Sequence, residues 1–314
     1  MTTADRPSRL RRSELSTPGH SAKMITKASS SDADLVFLDL EDAVAPSAKD
    51  GARATIVAGL NELDWGTKTR AVRVNAVGTR WCHDDLTEVI SGAGRNVDVV
   101  IVPKIKGPRE VWFVDDLLTG LETKLGLEVG RIGIEVLIEE TEALARVNEI
   151  AGCSPRLEAL ILGVGDLSAS QGIRIGHIGG SADGADGLGY PGDIWHYARN
   201  QVIVAARSHG IDAVDGPFAD IKSPEAYRRE ATWASTLGAV GKWAIHPSQV
   251  PVANEVFAPS PDEIKQALEV VEAMHKAEAE GLGAASYNGM MIDAATSRVF
   301  EGVLDRARRC GVLA

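Results

Sequence analysis

Residues 35–47, LVFLDLEDAVAPS, carry an apolar run straight into three acids, Asp39, Glu41 and Asp42. Ionised carboxylates are costly inside a protein unless a cation or a metal holds them. The same juncture recurs along the chain. Glu139 closes IGIEVLIE, Asp166 closes LEALILGVGD, and Arg73 and Asn75 end AVRVN. Lys104 follows VVIVP, Asp215 ends IDAVD, and His246 and Pro247 follow KWAI. Two carboxylates on neighbouring strands repel unless a proton or a cation joins them. No His/Cys cluster of zinc-like spacing accompanies Glu139 and Asp166. Hard oxygen ligands with an incomplete shell point to Mg²⁺ or Mn²⁺, with positions left for water and substrate. The plain alternative is that each carboxylate caps a following helix; the two together favour the metal. Period-two alternation puts Ala71, Arg73 and Asn75 on one face. An arginine there needs an anion, either a substrate carboxylate held bidentately or one of the acids at 39, 41 and 42.

These groups need strands to carry them. Eight apolar runs, at 13–16, 35–40, 71–74, 99–102, 132–138, 157–162, 211–214 and 242–245, alternate with segments of helical spacing such as KDGARATIVAGLNEL. The run at 13–16 is the least apolar. Such alternation implies a parallel sheet, and eight units in about 250 residues fit a closed (β/α)₈ barrel, whose active sites lie at the C-terminal ends of the strands. A doubly wound open sheet is the alternative; TPGHSAK after the first run is not the dinucleotide fingerprint G-x-G-x-x-G. The expected organisation is a frayed tail over 1–11, a barrel domain over 12–258 and a small helical C-terminal lid domain over 259–314. In the last, Ser260-Pro-Asp-Glu263 reads as a capping box. It opens a helix with Ile264, Leu268, Val271 and Met274 on one face. A Gly-rich break, EGLGAASYNGMMID, precedes a final helix striped by Val299, Phe300, Val303, Leu304 and Ala307.

Composition bounds the function class. The chain has 314 residues, 44% hydrophobic and 25% charged, with 33 basic against 44 acidic residues and a formal net charge of −11. That is ordinary for a globular enzyme and unfavourable for general nucleic-acid binding. No run reaches the length of a membrane span. The N-terminal MTTADRPSRLRRSE holds four arginines but no apolar h-region follows, so it reads as a solvated tail rather than a secretory signal. Cys82, Cys153 and Cys310 lack metal or redox spacing and read as reduced thiols of a cytoplasmic protein.

FLDLEDAVAP, VRVN, VPKI, EVLIEE, GVGDLSAS, DGPFAD, GKWAIHPSQ and YNGMMID, in this order over roughly residues 12–307, resemble the citrate lyase β-subunit and HpcH/HpaI aldolase superfamily. GKWAIHPSQ and GYPGDIWHYARNQ are similar to its CoA-ester branch, the malyl-CoA and β-methylmalyl-CoA lyases; shorter citrate-lyase-type subunits lack much of the Gly-rich insert 176–192. The resemblance implies a (β/α)₈ barrel with a helical lid, assembled as trimers or hexamers with shared active sites. It implies Glu139 and Asp166 as Mg²⁺ ligands, and Arg73 as the group that holds the oxo-acid and its developing oxyanion. It implies Lys27 as a CoA contact. By the same resemblance, Asp293 in YNGMMID is a general base reaching into a neighbouring subunit's site. Asp39, Glu41 and Asp42 then become acids that hold metal-bound waters and orient Arg73, with direct ligation as the second choice. The implied reaction is reversible cleavage of a 3-hydroxyacyl-CoA: L-malyl-CoA to acetyl-CoA and glyoxylate, and β-methylmalyl-CoA to propionyl-CoA and glyoxylate. Citramalyl-CoA cleavage, malyl-CoA hydrolysis and a non-catalytic CoA-binding protein are the rival readings. The first two need almost the same site; the last would not need Arg73, Glu139, Asp166 and Asp293 together.

Overall fold

In the computed structural model, which describes residues 6–174, 178 and 193–313, eight parallel strands pair in sequence order and close into a barrel. They are β1 (Ser13–Pro18), β2 (Leu35–Asp39), β3 (Thr69–Arg73), β4 (Val99–Val102), β5 (Gly133–Ile138), β6 (Leu157–Leu162), β7 (Asp212–Asp215) and β8 (Gly241–Ala244). β1 pairs with both β2 and β8, so no edge is left open. The fold is the (β/α)₈ barrel expected from the rhythm of the sequence. Leu35, Phe37, Ala71, Ile101, Leu137, Ile161 and Trp243 are among the side chains that fill its interior. Each such burial stabilises by roughly 1.5–3 kcal/mol for a large apolar side chain. The least apolar run became β1, and it is two residues longer than its pattern indicated. Its polar members are buried nonetheless, Ser13 and Glu14 with no exposure at all.

The Gly-rich insert at 176–192 lies outside the described residues except for Ile178. Within residues 1–11, the frayed-tail expectation fails for the described part. Arg6 donates to Pro155 O and His209 O, Arg9 Nε to Glu158 Oε2 at 2.9 Å, and Arg11 is buried. Arg9 and Arg11 find acids at the N-terminal ends of β5, β6 and β7, and Arg6 finds backbone carbonyls, so the segment is held by polar contacts. Gly241 makes room for it, because a Cβ there would lie 1.6 Å from Arg11 O. Asp215 also departs from the simplest strand-end reading. Lys242 Nζ lies 2.6 Å from Asp215 Oδ2 and 2.6 Å from Glu230 Oε1, and Arg199 Nε donates to Asp215 Oδ1 at 2.9 Å. Asp215 therefore ties the strands to the outer helices.

The chain divides into two compact units, Met1–Asn254 and Glu255–Ala314. The second consists of a helix (Pro261–Ala279), an antiparallel hairpin of β9 (Ala284–Tyr287) and β10 (Met290–Asp293), and a helix (Ala294–Arg309). The capping box forms: Ser260 Oγ accepts from Glu263 N and Glu263 Oε2 accepts from Ser260 N. The Gly-rich break is a hairpin, not a loop. Asn288 (φ 47°) and Gly289 (φ 79°) both take left-handed backbone, as a two-residue type I′ turn requires. The face of the first helix is rotated from the expected stripe: Ala267, Val270, Met274 and Ala277 are buried while Leu268 is 45% exposed. Its apolar residues offer overlapping stripes about 100° apart, and packing against Ile292 of the hairpin selects one. The last helix keeps its expected stripe, with Leu304 and Ala307 buried and Phe300 packed on the same cluster; only Val299 is exposed. Among the described residues no helix is long and apolar enough to cross a membrane. The three cysteines form no disulfide, and burial pushes the Cys82 thiol up to about 12.

Candidate active site

The C-terminal ends of β2 to β6 carry the charged groups singled out in the sequence. Asp39 and Arg73 are the last residues of β2 and β3 and pair in register. Arg73 Nε lies 2.7 Å from Asp39 Oδ1 and its Nη2 2.6 Å from Oδ2, a bidentate fork. Arg73 Nη1 lies 2.9 Å from Glu41 Oε2. Below the guanidinium, its carbon sits 5.3 Å from the Trp243 ring centroid and 5.8 Å from that of Phe37. A guanidinium has five N–H donors. Two are donated to Asp39, and Nη1 faces Glu41 as an ion pair. Burial alone would raise the Asp39 carboxyl, but Arg73 and the backbone N–H groups of Glu41 and Ala43 hold it below its usual range. For Glu41, burial outweighs Arg73 and Lys104 and keeps it above the usual range. The turn that presents these acids is held by buried Lys49, whose Nζ donates to Leu40 O and Glu41 O at 2.7 Å each.

Lys104, two residues beyond β4, ties this group to the next. Its backbone N–H donates to Glu139 Oε1 at 2.7 Å. Its Nζ lies 2.6 Å from Glu41 Oε1 and 3.2 Å from Asp42 Oδ1. Asp166 sits in the first turn of the helix Val164–Gln171, with Oδ1 3.8 Å from the same Nζ. Glu139, directly after β5, is buried, and burial together with the charges of Glu41 and Asp166 pushes its carboxyl up to about 8. Neither carboxylate caps a helix here: Glu139 is committed to Lys104 N, and Asp166 stands inside its helix. Gly163 makes the arrangement fit, since a Cβ there would fall 2.5 Å from Glu139 Cβ and 2.7 Å from its Oε2.

Among the described residues no group of three or more His, Cys, Asp or Glu side chains forms a complete metal cage. Glu139 and Asp166 are the carboxylates here that could hold a hard dication such as Mg²⁺ or Mn²⁺: Lys104 contacts both, and burial with the charges of Glu41 and Asp166 pushes the Glu139 carboxyl up to about 8.

Three other expected residues have their own surroundings. Lys27 is on the exposed face of the helix Ala22–Ser29. Asp293 belongs to the second unit, where it caps the helix Ala294–Arg309. Its Oδ1 accepts from Ala295 N, Thr296 N and Thr296 Oγ1 at 3.0, 2.9 and 3.1 Å, and these bonds, those of Thr296 first, hold it below the usual carboxylate range. His246 is structural: its Nδ1 accepts from Ser248 N at 3.2 Å. Three contributors escaped the sequence reading. Lys104 was visible as a strand-end cation without a role, Lys49 acts on the carbonyls of a turn eight and nine residues before it, and the Phe37–Trp243 platform, with ring centroids 4.4 Å apart, arises only from side chains distant in sequence.

Residues 12–247 match the family model for HpcH/HpaI aldolase/citrate lyase, and residues 188–312 match a carbon–carbon bond lyase of the TIM-barrel fold. The chain is 41% identical over 310 residues to the L-malyl-CoA/β-methylmalyl-CoA lyase of Rhodobacter capsulatus, covering 98% of this chain and 97% of that protein. It is 35% identical to the malyl-CoA/β-methylmalyl-CoA/citramalyl-CoA lyase of Chloroflexus aurantiacus, covering 88% and 81%. Among solved structures, CitE of Mycobacterium tuberculosis in complex with magnesium, acetoacetate and coenzyme A aligns with TM-score 0.75 and 29% identity, covering 94% of this chain and 97% of that one.

Proposed function

This chain belongs to the HpcH/HpaI aldolase/citrate lyase family, and from that premise we propose that it makes and breaks a carbon–carbon bond in 3-hydroxyacyl-CoA thioesters. The substrates we assign are L-malyl-CoA, split to acetyl-CoA and glyoxylate, and β-methylmalyl-CoA, split to propionyl-CoA and glyoxylate. The observation that carries the reading is the convergence of Arg73, Lys104, Glu139 and Asp166 at one mouth of the barrel, with more acid there than the cations balance. Relatives named for these thioesters support the substrate class.

Held by Glu139 and Asp166, Mg²⁺ or Mn²⁺ would supply Lewis-acid polarisation of the oxo-acid carbonyl. The chain's own residues do the rest. Arg73, held by Asp39 and Glu41 and seated on Trp243 and Phe37, keeps the N–H groups that Asp39 does not take in a fixed position. Such donors are most effective against an alkoxide, whose charge is localised and which forms at the same place in each turnover. In the condensing direction a base removes a proton from the thioester α-carbon, and we assign that base to Asp293 on the resemblance of YNGMMID. Its helix-capping bonds keep it ionised at neutral pH, as a base must be. Condensation ends when the alkoxide takes up a proton to become the 3-hydroxyl; in the cleaving direction the 3-hydroxyl gives up that proton, the carbon–carbon bond breaks as the alkoxide beside Arg73 becomes a carbonyl, and protonated Asp293 delivers its proton to the α-carbon of the departing enolate. Lys27 is assigned to CoA, and a homo-oligomer in which Asp293 serves a neighbour's barrel follows from the same resemblance. A cytoplasmic setting accords with three cysteines that form no disulfide.

The test is a product assay. The protein is incubated with Mg²⁺, a panel of acyl-CoAs and either glyoxylate or pyruvate, and products, free CoA included, are identified by mass. Malyl-CoA and β-methylmalyl-CoA are the expected products. Free CoA as the main product would replace the lyase reading with thioester hydrolysis, and turnover confined to pyruvate would replace it with citramalyl-CoA chemistry.

A further inference from the structure

Lys104 combines two features that an ordinary surface lysine lacks. Its backbone lies at φ 51°, in the left-handed region that few non-glycine residues occupy. It also reaches both carboxylates assigned to the metal, through different atoms. The N–H donates to Glu139 Oε1 at 2.7 Å, while Nζ lies 3.8 Å from Asp166 Oδ1, 3.2 Å from Asp42 Oδ1 and 2.6 Å from Glu41 Oε1. A glycine would adopt this backbone without strain and keep the N–H. The ammonium is what a glycine would not supply, so the side chain is the part of this residue that calls for an explanation.

An ammonium at contact distance from an acid cluster repels any dication entering that cluster, the more so in a partly buried site where the effective dielectric is low. From this geometry we infer that Lys104 is a built-in competitor of the metal. Its ammonium is the cation shared by Glu41, Asp42 and Asp166 before a divalent ion arrives, and Asp166 exchanges it for that ion. The inference rests on the reading of Glu139 and Asp166 as metal ligands. It has a direct consequence: the resting protein holds the metal more weakly than its acids alone would. An oxo-acid anion arriving beside the metal adds negative charge and favours the exchange, so metal and oxo-acid bind cooperatively.

The test is Mn²⁺ binding to the intact protein, followed by EPR of the unbound ion with and without glyoxylate. Lys104→Met keeps the long stem and the N–H but removes the charge. It is expected to bind Mn²⁺ at least about tenfold more tightly than the parent and to show a smaller gain on adding glyoxylate. Lys104→Gln, less apolar, should do the same if the methionine variant folds poorly, and Lys104→Arg should stay within about threefold of the parent. A lysine that merely supports the local structure would give the opposite sign, weaker binding on removal. Unchanged or weaker binding in both neutral variants, with a parent protein that binds Mn²⁺, overturns the competitor role alone. A parent protein and variants that all fail to bind Mn²⁺ overturn the metal reading and this inference with it.

Discussion

The two ends of the barrel both bury charge, and only one is built for a ligand. At the N-terminal end Arg11 Nε lies 2.7 Å from Glu135 Oε1 and its Nη1 3.1 Å from Asp212 Oδ2, with Glu158 as a third partner. Arg9 and Arg207 add further positive charge there. Glu14 is sealed nearby; burial first, and then the charge of Glu135, push its carboxyl well above its usual range. Glu135, Glu158 and Asp212 are met there by Arg9, Arg11 and Arg207. At the C-terminal end five carboxyl groups, Asp39, Glu41, Asp42, Glu139 and Asp166, meet three cations, Arg73, Lys104 and Lys49, with the Glu139 carboxyl pushed up to about 8. There the side chains of Asp42, Asp166 and Lys104 are 57%, 41% and 29% exposed. Burial of charge therefore does not mark function in this protein. Surplus charge of one sign with an open approach does. One residue spans the difference: Trp243 Nε1 donates to Glu14 Oε2 at 2.8 Å while its ring carries Arg73.

The contrast can be broken experimentally. The largest effect should come from Arg73→Lys, which keeps the charge but loses the fork on Asp39 and the remaining N–H donors. A loss of roughly 10²-fold or more in kcat/KM is expected at unchanged thermal stability within a few degrees. Near-parental turnover would reduce Arg73 to a structural ion pair. At the other end, Arg11→Met should leave turnover of the folded protein unchanged and cost about 3–5 kcal/mol of stability, because Glu135 and Glu158 lose a buried partner. Chemical denaturation measures it, and a cost below about 1 kcal/mol would mean that the N-terminal cluster is not held together by Arg11.

A third outcome separates the ends by pH. Glu139 has a folded value of about 8, above its unfolded one, so the native state holds more protons between the two. Its contribution is fully present below the unfolded value and is lost as pH rises through about 8. The metal-free protein should thus lose stability from about pH 5 to about pH 9 through this group. Adding Mg²⁺ at pH 7 should release about one proton per site and flatten that dependence. A proton count near zero in unbuffered calorimetry or with an indicator dye contradicts the assignment of Glu139. The smallest effect belongs to Glu14→Gln. Gln keeps an oxygen for the Trp243 N–H and mimics the protonated carboxyl that the upward shift of Glu14 favours. A change below about 1 kcal/mol is expected at pH 7, whereas an ionised Glu14 would make the substitution much larger.

Much of this architecture is legible in the sequence because barrel strands are short buried runs whose ends are marked by a change from apolar to charged. Asp39, Arg73, Glu139 and Asp166 each stand at such a change, so their meeting at one mouth follows once the strands alternate with helices. Where the pattern was degenerate it misled. The first helix of the second unit carries apolar residues all along overlapping stripes, and only the hairpin packing picks the face. Residues 6–11 look like a solvated basic tail until the acids of β5, β6 and β7 are seen to receive Arg9 and Arg11.

Residue types and their spacing settled the strand order, the acid-rich strand ends and the basic groups opposite them, because all of these depend on neighbours close in the chain. Which cation serves which acid was decided only in three dimensions. Arg73 reaches Asp39 from the adjacent strand, Lys104 reaches Glu41 across two strands and Asp166 beyond β6, and Trp243 comes from the far end of the chain to lie under the guanidinium. These pairings depend on distances between side chains far apart in sequence, and on a left-handed backbone at Lys104 that no local propensity favours. Closing the barrel brings those side chains within a few ångströms of one another, and only there does their charge decide what the site can hold.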